Sequence, residues 1–241
     1  MKKPLLVVTS LAMASCALAT VHFTESFESP PHTLGSLPSN SWVNAVGVIS
    51  KDVARSGSNS LKGTSHPSLQ RLAIGARLIS APTGPVVNFS TYALATQGGT
   101  ALSGLQYGIG TGALTVSFGF ATSINQWILE VQEIGGNTLV NTSGVLGAIT
   151  PNAWNEILIS HDTAANQINF SVNGSVKTSL TNFSSLTTSG AVAVLLRGNT
   201  FGNPATSEIY FDDLQVESVP EPAVLGLAAL LLIRKKRQAT A

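Results

Sequence analysis

The sequence predicts an all-β fold, a jelly-roll type of β-sandwich built from many short strands, on three observations. Apolar and polar residues alternate in short runs, with Ile168, Phe170 and Val172 interleaved by Asn169, Ser171 and Asn173. A period of two places one face of a strand in a core and the other in solvent. The pair Asn173-Gly174 then separates that run from Val176, Thr178 and Leu180. Asn-Gly is favoured between paired strands because both central residues of a type I′ turn take positive φ. No stretch of the body sustains a helical period over three turns.

Taken in order, further strand-like runs fall at residues 42–53, 69–79, 86–94, 113–121, 126–134, 155–161, 191–197 and 208–216. Clusters such as Gly98-Gly99-Thr100, Gly110-Thr111-Gly112 and Gly135-Gly136-Asn137 punctuate them, and many short strands in one domain argue for a sandwich or jelly roll. Residues 20–218 read as one domain of about two hundred residues, long enough for a single core. That body carries seven basic against eleven acidic side chains, a net charge near −4 hidden in the whole-chain figure of +1. A mildly acidic domain without a basic, aromatic-interleaved patch is not built for nucleic acid.

Both ends read as export signals. Residues 1–19 open with Lys2 and Lys3, continue through an apolar stretch and close on Ala17-Leu18-Ala19, the order of a secretory signal peptide handed to the translocon, with cleavage expected after Ala19. Met13-Ala14-Ser15-Cys16 loosely resembles a lipoprotein processing site, a competing fate for the chain's one cysteine; a body without cysteine forms no disulfide. At the other end, Pro220, Glu221 and Pro222 precede an uncharged apolar run at 223–233 and the basic cluster Arg234, Lys235, Lys236 and Arg237. Basic residues stay on the cytoplasmic side of a membrane segment. Eleven apolar residues span only about 17 Å as a helix against roughly 30 Å of hydrocarbon, so the basic side chains must snorkel and the bilayer thin.

The order Pro-Glu-Pro, apolar run, basic cluster over residues 219–238 resembles the PEP-CTERM sorting signal of Gram-negative bacteria. The resemblance implies that the tripeptide is cut by an exosortase-type membrane protease, that the apolar segment halts in the inner membrane, and that the product moves to the cell surface or extracellular matrix. The body, through AWNEILISHDTAANQINFSVNGSVKTSL from Ala153 to Leu180 and EIYFDDLQVESV from Glu208 to Val219, resembles the concanavalin A-like, laminin-G-like jelly rolls. That resemblance implies a closing strand paired beside the first, here HFTESFESP.

If those strands are neighbours, Glu25 and Glu28 meet Asp212 and Asp213, and a structural Ca²⁺, which takes six to eight oxygen ligands, is one expectation for them. The other is a β-bulge. Ile209 and Phe211 share one parity whereas Leu214 and Val216 share the opposite one, so one extra residue at Asp212-Asp213 restores a single apolar face. Trp42, Trp127 and Trp154 are the flat surfaces on which a sugar ring stacks. Trp154 opens an alternating strand and is expected in the core; Trp42, in a Pro/Ser/Asn-flanked segment, is the expected exposed, polysaccharide-binding one. His22, His32, His66 and His161 lack metal-ligand spacing and are expected in solvated loops. The laminarinase-like hydrolases among the jelly rolls carry Glu-x-Asp-x-x-Glu on one strand, absent here; Glu130 and Glu133 lie three apart, on opposite faces of a strand. The expectation is therefore a surface-sorted, non-catalytic structural or carbohydrate-interacting protein without an obligatory cofactor, with a matrix-polysaccharide hydrolase or a membrane-tethered scaffold as the competing classes.

Overall fold

The computed structural model describes residues 19–39, 42, 47–63, 72–80, 82, 84–95, 103–109, 114–121, 125–133, 138–142, 146–181, 192–198 and 208–219. Residues 1–18 and 220–238 of the segments expected to act as export signals, Pro220, Glu221, Pro222 and Arg234, Lys235, Lys236, Arg237 among them, lie outside these, as do Cys16 and His66.

Fourteen strands form among the described residues: β1 (Thr20–Glu25), β2 (Val48–Ser50), β3 (Ser60–Gly63), β4 (Leu72–Ile79), β5 (Val86–Ala95), β6 (Ser103–Ile109), β7 (Leu114–Ala121), β8 (Gln126–Glu133), β9 (Thr138–Asn141), β10 (Asn155–Asp162), β11 (Gln167–Val172), β12 (Ser175–Thr181), β13 (Val192–Gly198) and β14 (Ile209–Val219). They build two sheets, all neighbours antiparallel. The eight-stranded sheet runs β12-β11-β10-β5-β14-β3-β2 with β1 also on β14, and the six-stranded sheet runs β4-β13-β6-β7-β8-β9. The expected all-β sandwich is the observed architecture.

Alternation decides which side chains meet between the sheets. Phe89, Ile157, Ile159, Phe170, Phe211 and Val216 of the larger sheet face Leu105, Phe118, Trp127, Leu129, Val194 and Leu196 of the smaller one in one buried cluster. Phe118 and Phe170 touch across the interface with centroids 5.4 Å apart, and Phe120 meets Trp127 edge-on at 5.4 Å. Fully burying each such ring contributes about 1.5–3 kcal/mol, which is how a chain with few charges and no disulfide stays folded.

The Asn-Gly hairpin forms as expected between β11 and β12, with Asn173 at φ 49° and Gly174 at φ 74°. β1 lies beside β14, with Thr24 opposite Gln215. The bulge is present as well: Asp212 pairs with Tyr92 but Gln215 with Ser90, three residues of β14 covering two of β5. Asp213 takes φ 49° there, and Ile209, Phe211, Leu214 and Val216 all reach the core.

Two burial expectations are corrected. Trp154 precedes β10, half-buried and outside the core, because Asn155 rather than Trp154 begins the inward parity shared by Ile157 and Ile159. His161 is 2 % exposed: β10 continues through Asp162, so His161 keeps that inward parity instead of lying in a loop. Burial pushes its imidazole below the usual histidine range, against the opposing charge of Asp162.

Gly104 of β6 marks a close strand approach. A Cβ there would lie 2.4 Å from the Phe118 carbonyl oxygen and 2.5 Å from Gly119 Cα, both backbone atoms. Gly104→Ala is expected to cost about 1–3 kcal/mol by overpacking, and Gly174→Ala, with open space around it, only the roughly 1–2 kcal/mol of left-handed strain. Urea denaturation of the two variants checks that order.

Candidate functional site

The acids expected to gather at one metal divide between two loops. Glu25, at the end of β1, accepts the Phe27 N–H at 3.0 Å and a His32 Nε2 bond at 2.9 Å through Oε1, and the Trp42 indole N–H at 3.2 Å through Oε2. Ser39 N–H points at His32 Nδ1 at 3.1 Å; an N–H can only donate, so Nδ1 carries the lone pair and Nε2–H is the donor to Glu25. His32 is thus a buried neutral imidazole, 2 % exposed, and not the solvated loop residue expected. The Ser39 hydroxyl donates to the Pro31 carbonyl at 2.8 Å and lies 3.2 Å from the same His32 Nδ1.

Glu28 and Asp212 hold opposite sides of the loop between β2 and β3. Glu28 Oε1 accepts the N–H groups of Ser58 and Asn59 at 2.8 and 2.9 Å, and Oε2 the Asn59 side-chain amide. Asp212 Oδ2 accepts the N–H groups of Arg55 and Ser56 at 2.8 and 3.2 Å, and Oδ1 the Asp213 N–H. Asp213 Oδ1 accepts the Ser56 hydroxyl at 2.7 Å. The Arg55 guanidinium lies 4.5 Å from the Tyr92 ring centre and completes the cover over Asp212, which is fully buried. Oxygens aimed at N–H and O–H donors are not arranged around a shared cation, and among the described residues no three His, Cys, Asp or Glu side chains form a group able to hold a metal ion. The donor set does not fit a calcium site in this arrangement.

Trp42 is corrected too. It is 8 % exposed, its ring 5.5 Å from that of Phe27 and pressed over Gly75, where a Cβ would lie 2.6 Å from the indole. Its face is spent on packing, and no sugar ring can stack on it.

A polar cluster that sequence reasoning passed over lies on the six-stranded sheet, on the face turned from the core. Val192, Val194 and Leu196 point inward, so Arg197 points outward. It pairs across the ladder with Gly104, which pairs with Gly119, and two adjacent residues without side chains leave a track for the long arginine. Arg197 Nη1 crosses to the Ser117 hydroxyl of β7 at 3.0 Å and to Glu130 Oε2 of β8 at 3.3 Å. Glu130 Oε1 accepts the Gln132 side-chain amide at 2.7 Å, and Gln106 and Glu130 lie on either side of Ser117 in the register. Arg197 and Glu130 are 8 % and 9 % exposed. A buried pair of this kind is specified by its hydrogen bonds more than by net energy.

No family model matches the chain, and no curated protein matches it. Solved structures do. A structure described with the endo-acting O-glycanases by which human gut bacteria initiate mucin breakdown superposes with a TM-score of 0.58 at 11 % identity, over 83 % of this chain and 99 % of its own. Cellulose induced protein Cip1 gives 0.53 at 15 % identity, over 83 % and 98 %. The conserved carbohydrate esterase of the Shiga toxin-encoding bacteriophage phi24B gives 0.50 at 13 % identity, over 83 % and 99 %. At these identities the likeness is one of fold.

Two outcomes test the corner. Trp42→Phe removes the indole N–H bond to Glu25 while retaining a ring, and is expected to lower stability by about 1 kcal/mol without changing retention on polysaccharide columns. Burial, partly offset by the three backbone N–H bonds, raises the Asp212 carboxyl from 3.8 to about 6. A raised acid binds its proton more tightly folded than unfolded, so its contribution is fully present below the unfolded value near 3.8 and lost as pH rises through about 6. In Asp212→Asn that dependence vanishes, while the His161 contribution is common to both proteins. The stability advantage of the wild type over the variant is therefore expected to grow by an amount on the order of 1–3 kcal/mol as pH falls from 7 to 4, read from urea melts at each pH.

Proposed function

We propose that this is an exported protein, sorted to the cell surface or extracellular matrix by its C-terminal signal, whose jelly-roll domain of the concanavalin A-like kind acts without catalysis as a structural or carbohydrate-interacting component. The observation that carries the interaction is the outward Arg197–Ser117–Glu130–Gln132 cluster. Arg197, Ser117 and Glu130 are almost wholly covered, so the half-buried amides of Gln106 and Gln132 beside them are the groups that meet the hydroxyls of a saccharide, and Glu130 holds the Gln132 amide in place so that little reorganises on binding. The non-catalytic half of the reading is supported by the state of Glu130. Both of its oxygens accept N–H bonds, whereas glycoside hydrolysis calls for an acid that donates a proton and a second carboxylate about 5–9.5 Å away. The folds of Cip1, of the mucin-breakdown structure and of the phage carbohydrate esterase support a saccharide as the ligand to try first.

The sorting half rests on the chain's own residues. Prolines on both sides of Glu221 limit the entropy the chain loses in a protease groove, and Arg234, Lys235, Lys236 and Arg237 anchor the cytoplasmic side until cleavage. The partners in this reading are the secretion translocon and an exosortase-type protease.

Two measurements check it. Intact mass of the protein recovered from its native host's surface is expected to lack residues 234–237; a mass that retains them removes the sorting step. On a panel of bacterial and plant polysaccharides, the wild type is expected to be retained with no release of reducing sugar, and Glu130→Gln to be retained several-fold less. Release of sugar that disappears in Glu130→Gln would make the protein a hydrolase, and absence of retention on every polymer would make it a scaffold.

A further inference from the structure

We infer that the cleft between the edge strands β1 and β4 is a second binding site, shaped for a neutral sugar residue. It lies where the two sheets diverge, beside the bulge of β14 and away from the outward cluster on β7, β8 and β13. Its cavity of about 460 Å³ falls in the range of small-molecule pockets. The lining brings together Phe23, Thr24, Ser26, Arg77, Asp213 and Gln215.

The chemistry of the ligand follows from what these groups offer. Arg77 sits with its guanidinium carbon 4.5 Å from the Phe23 ring centre, a stacked cation that supplies N–H donors beside an apolar wall. Asp213 gives one carboxylate oxygen to Ser56, and a carboxylate has acceptor sites on both oxygens. Gln215 donates its amide to Glu217, and its side-chain carbonyl oxygen is an acceptor. Thr24 and Ser26 add hydroxyls that both donate and accept. Donors and acceptors in nearly equal number, set around an apolar wall, are complementary to a ring whose hydroxyls also do both.

Charge narrows the choice. Arg77 is offset by Asp213 and by Glu25, which also lines the cavity but spends its oxygens on Phe27, His32 and Trp42. The pocket is thus net negative and disfavours uronates and sulfated sugars. The bulge shapes it: the positive φ of Asp213 accompanies the extra residue that sets this carboxylate at the cavity while Asp212 is buried under the loop.

The test is a nitrogen-15 NMR titration of the detergent-solubilised full chain with cellobiose, lactose and mannobiose, and with digalacturonic acid as the charged probe. Saturable shifts at the amides of Thr24, Ser26, Asp213 and Gln215 are expected with at least one neutral disaccharide, with digalacturonic acid at least about five-fold weaker. Asp213→Asn keeps a residue type that tolerates positive φ, and Gln215→Ala is a second variant independent of the bulge; each is expected to weaken binding about five-fold or more. No saturable shift at these amides with any of the three neutral sugars overturns the inference, as does unchanged affinity in both variants. Column retention lost in Glu130→Gln reports the other face and leaves this result untouched.

Discussion

The pairing of β14 with β5 on one side and with both β3 and β1 on the other is the constraint on which the larger sheet depends. β14 meets β3 through Ile209, Tyr210 and Phe211 and β1 from Leu214 to Ser218, while β5 runs alongside both halves. A regular strand of this sequence would send Leu214 and Val216 to the solvent face, since side chains alternate. The extra residue at the bulge removes that conflict, and the Thr91 hydroxyl, donating to the Asp212 carbonyl at 2.9 Å, satisfies a backbone group in the disturbed part of the ladder. The interruption also separates β3 from β1 and opens the corner where the loops and the cleft lie.

Carboxylates organise that corner by accepting backbone amides. Irregular segments leave N–H groups without ladder partners, and a buried N–H without an acceptor is costly. Glu25 ties the chain from Phe27 to Trp42, and Glu28 and Asp212 clasp the segment from Arg55 to Asn59 from two sides. Phe27 at φ 59°, unusual for a bulky residue, is held by its N–H bond to Glu25 and by its ring contacts with His32 and Trp42. Acids at and beside this strand pair therefore serve as scaffolding for the loops.

On the smaller sheet the same alternation that fills the core exports chemistry to the opposite face. Phe118 and Leu129 pack inward and thereby fix Ser117 and Glu130 outward on adjacent strands. Gly104 and Gly119 carry the arginine over two strands, so the close backbone approach and the polar cluster are two consequences of one pair of glycines.

By itself the sequence determined the strand class, the Asn173-Gly174 hairpin and the bulge at Asp212-Asp213, because each follows from local parity or turn chemistry, whereas the pairing of first and last strands was only what the resemblance to the concanavalin A-like jelly rolls implied. It left β3, β6 and β9 unmarked: four residues are too few to show a period, and β6 is broken by Gly104 and Gly108, so only pairing with neighbours makes them strands. The outward placement of Arg197 was legible from the inward parity of Val192, Val194 and Leu196, but its meeting with Glu130, sixty-seven positions earlier, was not. Nor was the burial of Trp42 and His32, where distant partners in the folded chain outweigh flanking composition. Tertiary structure alone decided which acids point at amides, which edges part to form a cleft, and which side chains share a face, because those depend on strand order and register between segments remote in sequence.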